Sequence, residues 1–182
     1  MRTFARDEEC TKFMPDKFPS LRPAFAKTGT ITAANASKIN DGAATLVLMS
    51  EDEARNRGLQ PLARIRGYDD AAVAPIDFAI APATAVRKLL KRSGMNMGDI
   101  EYHEVNEAFS AVALANMKLL DLDPSRVNVH GGAVALGHPI GCSGARILIS
   151  LINVLRQKDA SVGMASICNG GGGASAIILE RM

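Results

Sequence analysis

Between Ser143 and Arg156 the polar residues are confined to Arg146, Ser150 and Asn153, and Gln157 follows just beyond. They recur at steps of four, three and four, which draws one narrow polar stripe along a helix that is otherwise apolar. Such a helix is expected to be buried on most sides. The other apolar runs are shorter. Ala43 to Met49 has strand length, and Leu62 to Val73 alternates as a strand, with a bend expected at Asp69 and Asp70. Ile100 to Val105 and Val127 to Val129 read as short strands. Val162 to Ile167 and Ser175 to Leu179 read as a hairpin joined by the glycine loop at 169–173. Helices are expected over Glu51 to Arg57, ended by Gly58, and over Ala83 to Arg92, with Pro82 in the first turn and Gly94 after the last. A third is expected from Glu107 to Leu120, with Asn106 as its N-cap. Strands alternating with helices imply an α/β fold, a layered sheet with helices on its faces. The long apolar helix implies one half of something larger, sandwiched between two sheets.

Residues 1–30 break this order. They hold three prolines and scattered charges without a sustained period, and are expected to be an irregular segment before a domain over 31–182. Lys12, Lys17, Arg22 and Lys27 could meet an anionic ligand, or simply be solvated. A chain of 182 residues can bury roughly 70% of its unfolded surface, enough for one proper core. With 47% hydrophobic residues, 4% aromatics and no Trp, that core must be aliphatic. A net charge of +2 leaves no nucleic-acid footprint. Three cysteines do not make a disulfide framework, which fits a reducing compartment. No apolar run approaches the roughly 20 residues of a membrane span. The start shows no signal-peptide run, and Asp7, Glu8 and Glu9 make it too acidic for a transit peptide.

Candidate chemistry sits in two glycine runs. Gly131 to Ile147 holds five glycines, and Gly137 and Gly141 bracket His138, Pro139 and Ile140. A titratable ring is thereby held on a stiff, glycine-hinged loop. The second run, from Cys168 to Gly173, places a thiol on a loop of the same kind. Asn106, His138 and Cys168 all lie where an element gives way to a loop, the side on which layered α/β folds carry their sites. A nearby histidine and a row of glycine N–H groups would lower the thiol pKa of Cys168, and the same N–H groups would cradle an oxyanion. Taken singly, each residue has a plainer explanation: a hydrogen-bonded loop histidine, a helix cap, a buried apolar cysteine. Gly137, Gly141 and Gly144 do not make a dinucleotide fingerprint, no GK[ST] phosphate loop exists, and no CxxC or HxxxH spacing supports zinc.

The motifs VNEAF at 105–109, GGAVALGHPIGCSGARI at 131–147 and CNGGGGAS at 168–175 resemble the C-terminal signature blocks of thiolases. TAANAS at 32–37 and NDGAA at 40–44 resemble the family too, and APIDFAIAP at 74–82 is similar to its mitochondrial acetoacetyl-CoA branch. The resemblance implies the C-terminal half of a layered αβαβα fold, with a mixed sheet and helices on both faces. It implies an acyltransferase that joins two acetyl-CoA molecules or cleaves 3-ketoacyl-CoA, with coenzyme A as substrate and no redox cofactor. By resemblance Cys168 is the acid/base, His138 activates a nucleophilic cysteine, Asn106 holds a water of the oxyanion hole, and Gly170 lends an N–H to a second hole. Ser37 would meet the pantetheine arm, and Lys12, Phe13, Met14 and Lys17 the nucleotide end. Potassium would be held by carbonyls of Ala33, Ala34, Ala36 and Val134.

Thiolases carry their nucleophilic cysteine in an N-terminal half that this chain is expected to lack, and Cys10 and Cys142 are not substitutes. Partners implied are acyl-CoA substrates, that N-terminal domain and further copies in a dimer or tetramer, with no nucleic acid and no membrane. The location implied is mitochondrial, with cytoplasmic or peroxisomal as alternatives. A non-catalytic segment that binds coenzyme A or pairs with full-length subunits is the alternative function. A decarboxylating condensing enzyme of the same fold fits less well, because it would need histidine or asparagine where Cys168 stands.

Overall fold

The computed structural model describes Thr3, Ala5 and residues 12–182; Cys10 lies outside them. Residues 12–50 hold one 3₁₀ helix, Pro15–Ser20, against which Phe13 packs edge-to-face on Phe18 at 5.5 Å. The next element is α1, Glu51–Asn56, whose first turn is capped by the Ser50 hydroxyl accepting from Glu53 N–H at 3.2 Å. Then come β1 (Ala63–Ala72), a 3₁₀ helix at Pro75–Ile80, α2 (Ala81–Ser93), β2 (Tyr102–Val105), α3 (Ser110–Leu120), the single turn α4 (Ala133–Leu136), α5 (Ser143–Gln157), β3 (Val162–Cys168) and β4 (Gly173–Arg181).

The four strands form one mixed sheet in the order β1-β4-β3-β2. β2 and β3 are parallel, and β4 runs antiparallel to both β3 and β1. Strand alternation sends neighbouring residues to opposite faces. Met164 and Ile178 join Val86 and Leu89 of α2 on one side, whereas Ala165 and Leu179 join Leu151 and Leu155 of α5 on the other. Helices therefore cover both faces. Gly163 permits the close seat of α5: a Cβ there would stand 2.6 Å from Leu151 Cδ1.

The structure departs from the sequence reading at several elements. Ala43 to Met49 is not a strand; Val47 is 79% and Leu48 71% exposed, and no strand among the described residues lies beside them to pair with. Asn106 is not an N-cap. Its N–H donates to Ser166 O at 2.9 Å, which prolongs the β2–β3 ladder, and α3 starts only after Phe109. β1 runs straight through Asp69 and Asp70; its irregularity lies between Ile65 and Gly67. Val127 makes an isolated bridge to His103 in place of a strand. α5 buries one face, through Ile147, Leu151, Val154 and Leu155, while Leu148, Ile149 and Ile152 are half-buried.

Candidate active site

Because β2 and β3 run parallel, their carboxyl ends reach the same edge of the sheet. β2 delivers Asn106 there, and β3 delivers Cys168 and the glycine turn. Asn169 N–H closes that turn on Gly173 O at 2.7 Å, and Gly171 and Gly172 adopt φ of 83° and 93°. Gly172 O accepts from Val73 N–H at 2.9 Å, which ties the turn to the end of β1. The loop before α5 carries His138 to the same place and is held by His138 N–H donating to Lys38 O at 3.0 Å. The result is a cavity of about 440 Å³ whose wall includes Phe78, Ala108, His138, Cys168, Gly170 and Gly171. The Gly170 N–H has no acceptor among the described residues and stands free in that wall.

The imidazole is fixed from both sides. Nδ1 lies 2.6 Å from Ser143 Oγ, and that hydroxyl donates to Pro139 O at 3.1 Å. While that hydroxyl donates to the carbonyl it accepts from the ring, the arrangement in which Nδ1 carries the hydrogen. Nε2 then offers its lone pair to the Asn106 Nδ2 amide at 3.4 Å. Burial, and next the Arg146 charge, push the His138 pKa below its ordinary value, so the ring rests neutral.

Cys168 is buried, and burial pushes its thiol up from the ordinary value. This corrects the expected lowering. The neighbouring imidazole is itself held neutral, so it brings no cation to stabilise a thiolate. Cys142 is also buried, at the start of α5.

Sequence reasoning missed the groups behind the wall. Arg146 Nη2 donates to Asn106 Oδ1 at 3.4 Å from α5. Glu104, on β2 two residues before Asn106 and hence on the same face, is 2% exposed. Its pKa is raised to about 7 by burial, with Arg146 opposing and Glu107 adding to the rise. Glu107 clamps the loop before α5: its two carboxylate oxygens accept from Asn128 Nδ2 and Val134 N–H, both at 3.1 Å. The available signal was Glu104-Val105-Asn106, two polar groups alternating on one face at the end of a buried strand.

Ser37 runs beside the cavity, its N–H donating to Ala108 O at 3.0 Å. Phe25, Phe109 and Phe78 make two edge-to-face contacts, at 5.6 and 6.5 Å, which link the segment before Ser37 to the cavity wall. Phe13, Met14 and Lys17 are exposed on and just before the first 3₁₀ helix. Ala33 and Ala34 lie in a turn, Ala36 just after it makes an isolated bridge to Phe109, and Val134 lies in α4. No cluster of three His, Cys, Asp or Glu that could ligate a metal occurs among the described residues. Alanine and valine carry no side-chain donor, so a cation at those four positions could be met only by main-chain carbonyl oxygens. No helix among the described residues is long and apolar enough to cross a membrane.

Comparison with known proteins fits this geometry. The family description "Thiolase, C-terminal domain" matches residues 59–181, and "Thiolase, N-terminal domain" matches residues 2–52. The join falls in and just after α1. Acetyl-CoA acetyltransferase 1 of Arabidopsis thaliana is 58% identical over 97% of this chain and 43% of its own length. The mitochondrial acetyl-CoA acetyltransferase of Rattus norvegicus is 56% identical over 97% of this chain and 41% of its own. The crystal structure of the Acat5 thiolase of Ascaris suum with coenzyme A superposes with a TM-score of 0.89 at 49% identity, covering 98% of this chain and 47% of that one. The chain thus spans less than half the length of these relatives. With both thiolase descriptions matched in order along it, the chain belongs to the thiolase family.

Proposed function

We propose that this chain is the part of an acetyl-CoA C-acetyltransferase that supplies the acid/base, the activating histidine and two oxyanion sites. The observation that carries the reading is the shared cavity: an imidazole with a lone pair on Nε2, a protonated thiol and a free glycine N–H face one space. Condensation of two acetyl-CoA molecules begins with a proton leaving the methyl group next to a thioester. The charge then rests on the thioester oxygen, which needs donors in the wall. Cys168 exchanges that proton. Its raised pKa keeps the thiol protonated at rest; it first gives that proton to the coenzyme A thiolate that departs when the acyl group moves to the nucleophilic cysteine, and the strongly basic thiolate left behind then takes the methyl proton. His138, neutral at rest, takes the proton of a nucleophilic thiol, and as a cation it then donates to the thioester oxygen. Asn106 and a water it binds complete that hole, and the Gly170 N–H serves the second.

The acyl-carrying cysteine would come from thiolase N-terminal sequence beyond the stretch matched at residues 2–52, in keeping with the coverage of the relatives. The half-buried apolar flank of α5 is where that sequence would rest. Ser37 meets the pantetheine arm, and Lys12, Phe13, Met14 and Lys17 the nucleotide. Potassium at the carbonyls of Ala33, Ala34, Ala36 and Val134 would brace the loop carrying Ser37. The protein would work in mitochondria, as the rat relative does, and as a homo-oligomer.

The test is thiolysis of acetoacetyl-CoA by the protein carrying this chain, beside its Cys168→Ala variant. The expected loss is roughly 10²- to 10⁴-fold. Coenzyme A binding without turnover in the parent protein would instead favour the non-catalytic reading.

A further inference from the structure

Arg146 takes no part in the chemistry above, yet it is placed with care. Its guanidinium enters from the first turn of α5 and reaches two oxygens, Asn106 Oδ1 at 3.4 Å and Ser150 Oγ at 3.5 Å. Its Nε is buried without a hydrogen-bond partner, and so is Oε1 of Glu104. The two opposite charges are coupled across the space between β2 and α5.

A guanidinium only donates, so the Asn106 atom facing it must be the carbonyl oxygen. The amide nitrogen is then turned toward His138 Nε2. Were the amide reversed, two donors would meet at Arg146, and its oxygen would face Nε2 and call for a proton there. Nδ1 would then have to accept from Ser143, whose hydroxyl would turn from Pro139 O to the ring. One amide orientation therefore selects one imidazole tautomer.

We propose that Arg146 is a positioning residue that orients the Asn106 carboxamide and, through it, holds His138 in the Nδ1–H tautomer with the lone pair on Nε2. Glu104 and Glu107 from β2 and its end, Cys168 from β3 and Arg146 from α5 are the ionisable groups around this unit. The Arg146 charge also disfavours protonation of the ring. The catalytic consequence rests on the proposed function, but the tautomer does not, so the two fail separately.

The experiment is ¹⁵N NMR of the protein labelled at its three histidines, with His138 assigned by substitution. Near neutral pH the wild-type ring should show a protonated Nδ1 and a bare Nε2; a proton on Nε2 overturns the proposal without any variant. In Arg146→Met the ring should populate both tautomers and its pKa should rise toward the ordinary value. Turnover should fall roughly a hundredfold with KM little changed. Arg146→Lys, which keeps a donor and the charge, should restore the tautomer in large part. A folded Arg146→Met protein whose His138 keeps the wild-type tautomer and titration sinks the idea. If Arg146→Met does not fold, the wild-type spectrum and Arg146→Lys decide. A wild-type protein with the expected tautomer but no thiolysis would refute the proposed function and leave this inference standing.

Discussion

Replacing Glu104 by Gln should make the protein less sensitive to alkali. The carboxyl sits on β2 facing α5, 2% exposed, with Oε1 unpartnered. Burial raises its pKa from 4.5 to about 7. The folded state therefore holds this proton more tightly than the unfolded chain does. Its contribution to stability is whole below pH 4.5 and is lost as pH rises through 7. A gap of about 2.5 pH units at roughly 1.36 kcal/mol each is about 3 kcal/mol. Glutamine keeps the shape and cannot ionise. Urea unfolding of wild type and Glu104→Gln should give similar stabilities near pH 4 and a variant ahead by about 3 kcal/mol near pH 8.5. His103, whose burial lowers its pKa to about 4, is present in both proteins and cancels in the difference. A difference that stays flat from acid to alkali would mean that the carboxylate is not desolvated, and the account of the space behind Asn106 would fall with it.

The same reasoning gives three other outcomes. Asn116 is fully buried and joins three elements: it accepts from Ala83 N–H and donates to Ala79 O and Val112 O, all within 2.8 Å. Asn116→Ala should cost roughly 2–4 kcal/mol in urea unfolding, because it orphans buried main-chain groups. Gly172→Ala would bring a Cβ to 2.3 Å from Val73 O at φ +93°, so a fall of roughly 2–3 kcal/mol is expected, along with a wider cavity mouth seen as faster Cys168 alkylation. In wild type, alkylation of Cys168 followed by peptide mass spectrometry should still accelerate above pH 9, since burial holds its pKa above that; a plateau by pH 8 would contradict it.

Elements with a strong period were legible in the sequence, and so was the edge that bears the site. The stripe of Arg146, Ser150 and Asn153 located α5 to within a residue, and the glycine run at 169–173 located the β3–β4 turn. Val47 and Leu48 misled because an apolar run states only that it wants cover, not that a partner strand is at hand. Asn106 misled for a related reason. An asparagine ahead of an alanine-rich stretch is what a cap looks like, and only the pairing with Ser166 shows that β2 continues through it. The thiol of Cys168 misled in sign, because a neighbouring histidine lowers a thiol pKa only when the ring is charged, and burial, with the Arg146 charge after it, keeps this ring neutral.

β2 is the element on which these points turn. It has only four residues, Tyr102–Val105, yet two of them are buried and ionisable, and alternation sends them to opposite faces. His103 lies toward the α2 side and is pushed toward neutrality by burial and by Arg126; Glu104 lies toward α5 and is pushed toward neutrality by burial. Hydrophobic residues at both positions would pack with less penalty. On the α2 side nothing in the cavity depends on His103. On the α5 side Glu104 is coupled to Arg146, whose donors reach Asn106, and through Asn106 the imidazole. A carboxylate that weakens the fold at alkaline pH, yet faces the group that sets a tautomer in the cavity wall, is expected of a residue kept for the site. Glu104→Gln should therefore separate the two properties, gaining stability near pH 8.5 while the His138 tautomer stays with Arg146. A variant that gained stability and also lost the tautomer would show that the carboxylate, rather than the guanidinium, governs the amide.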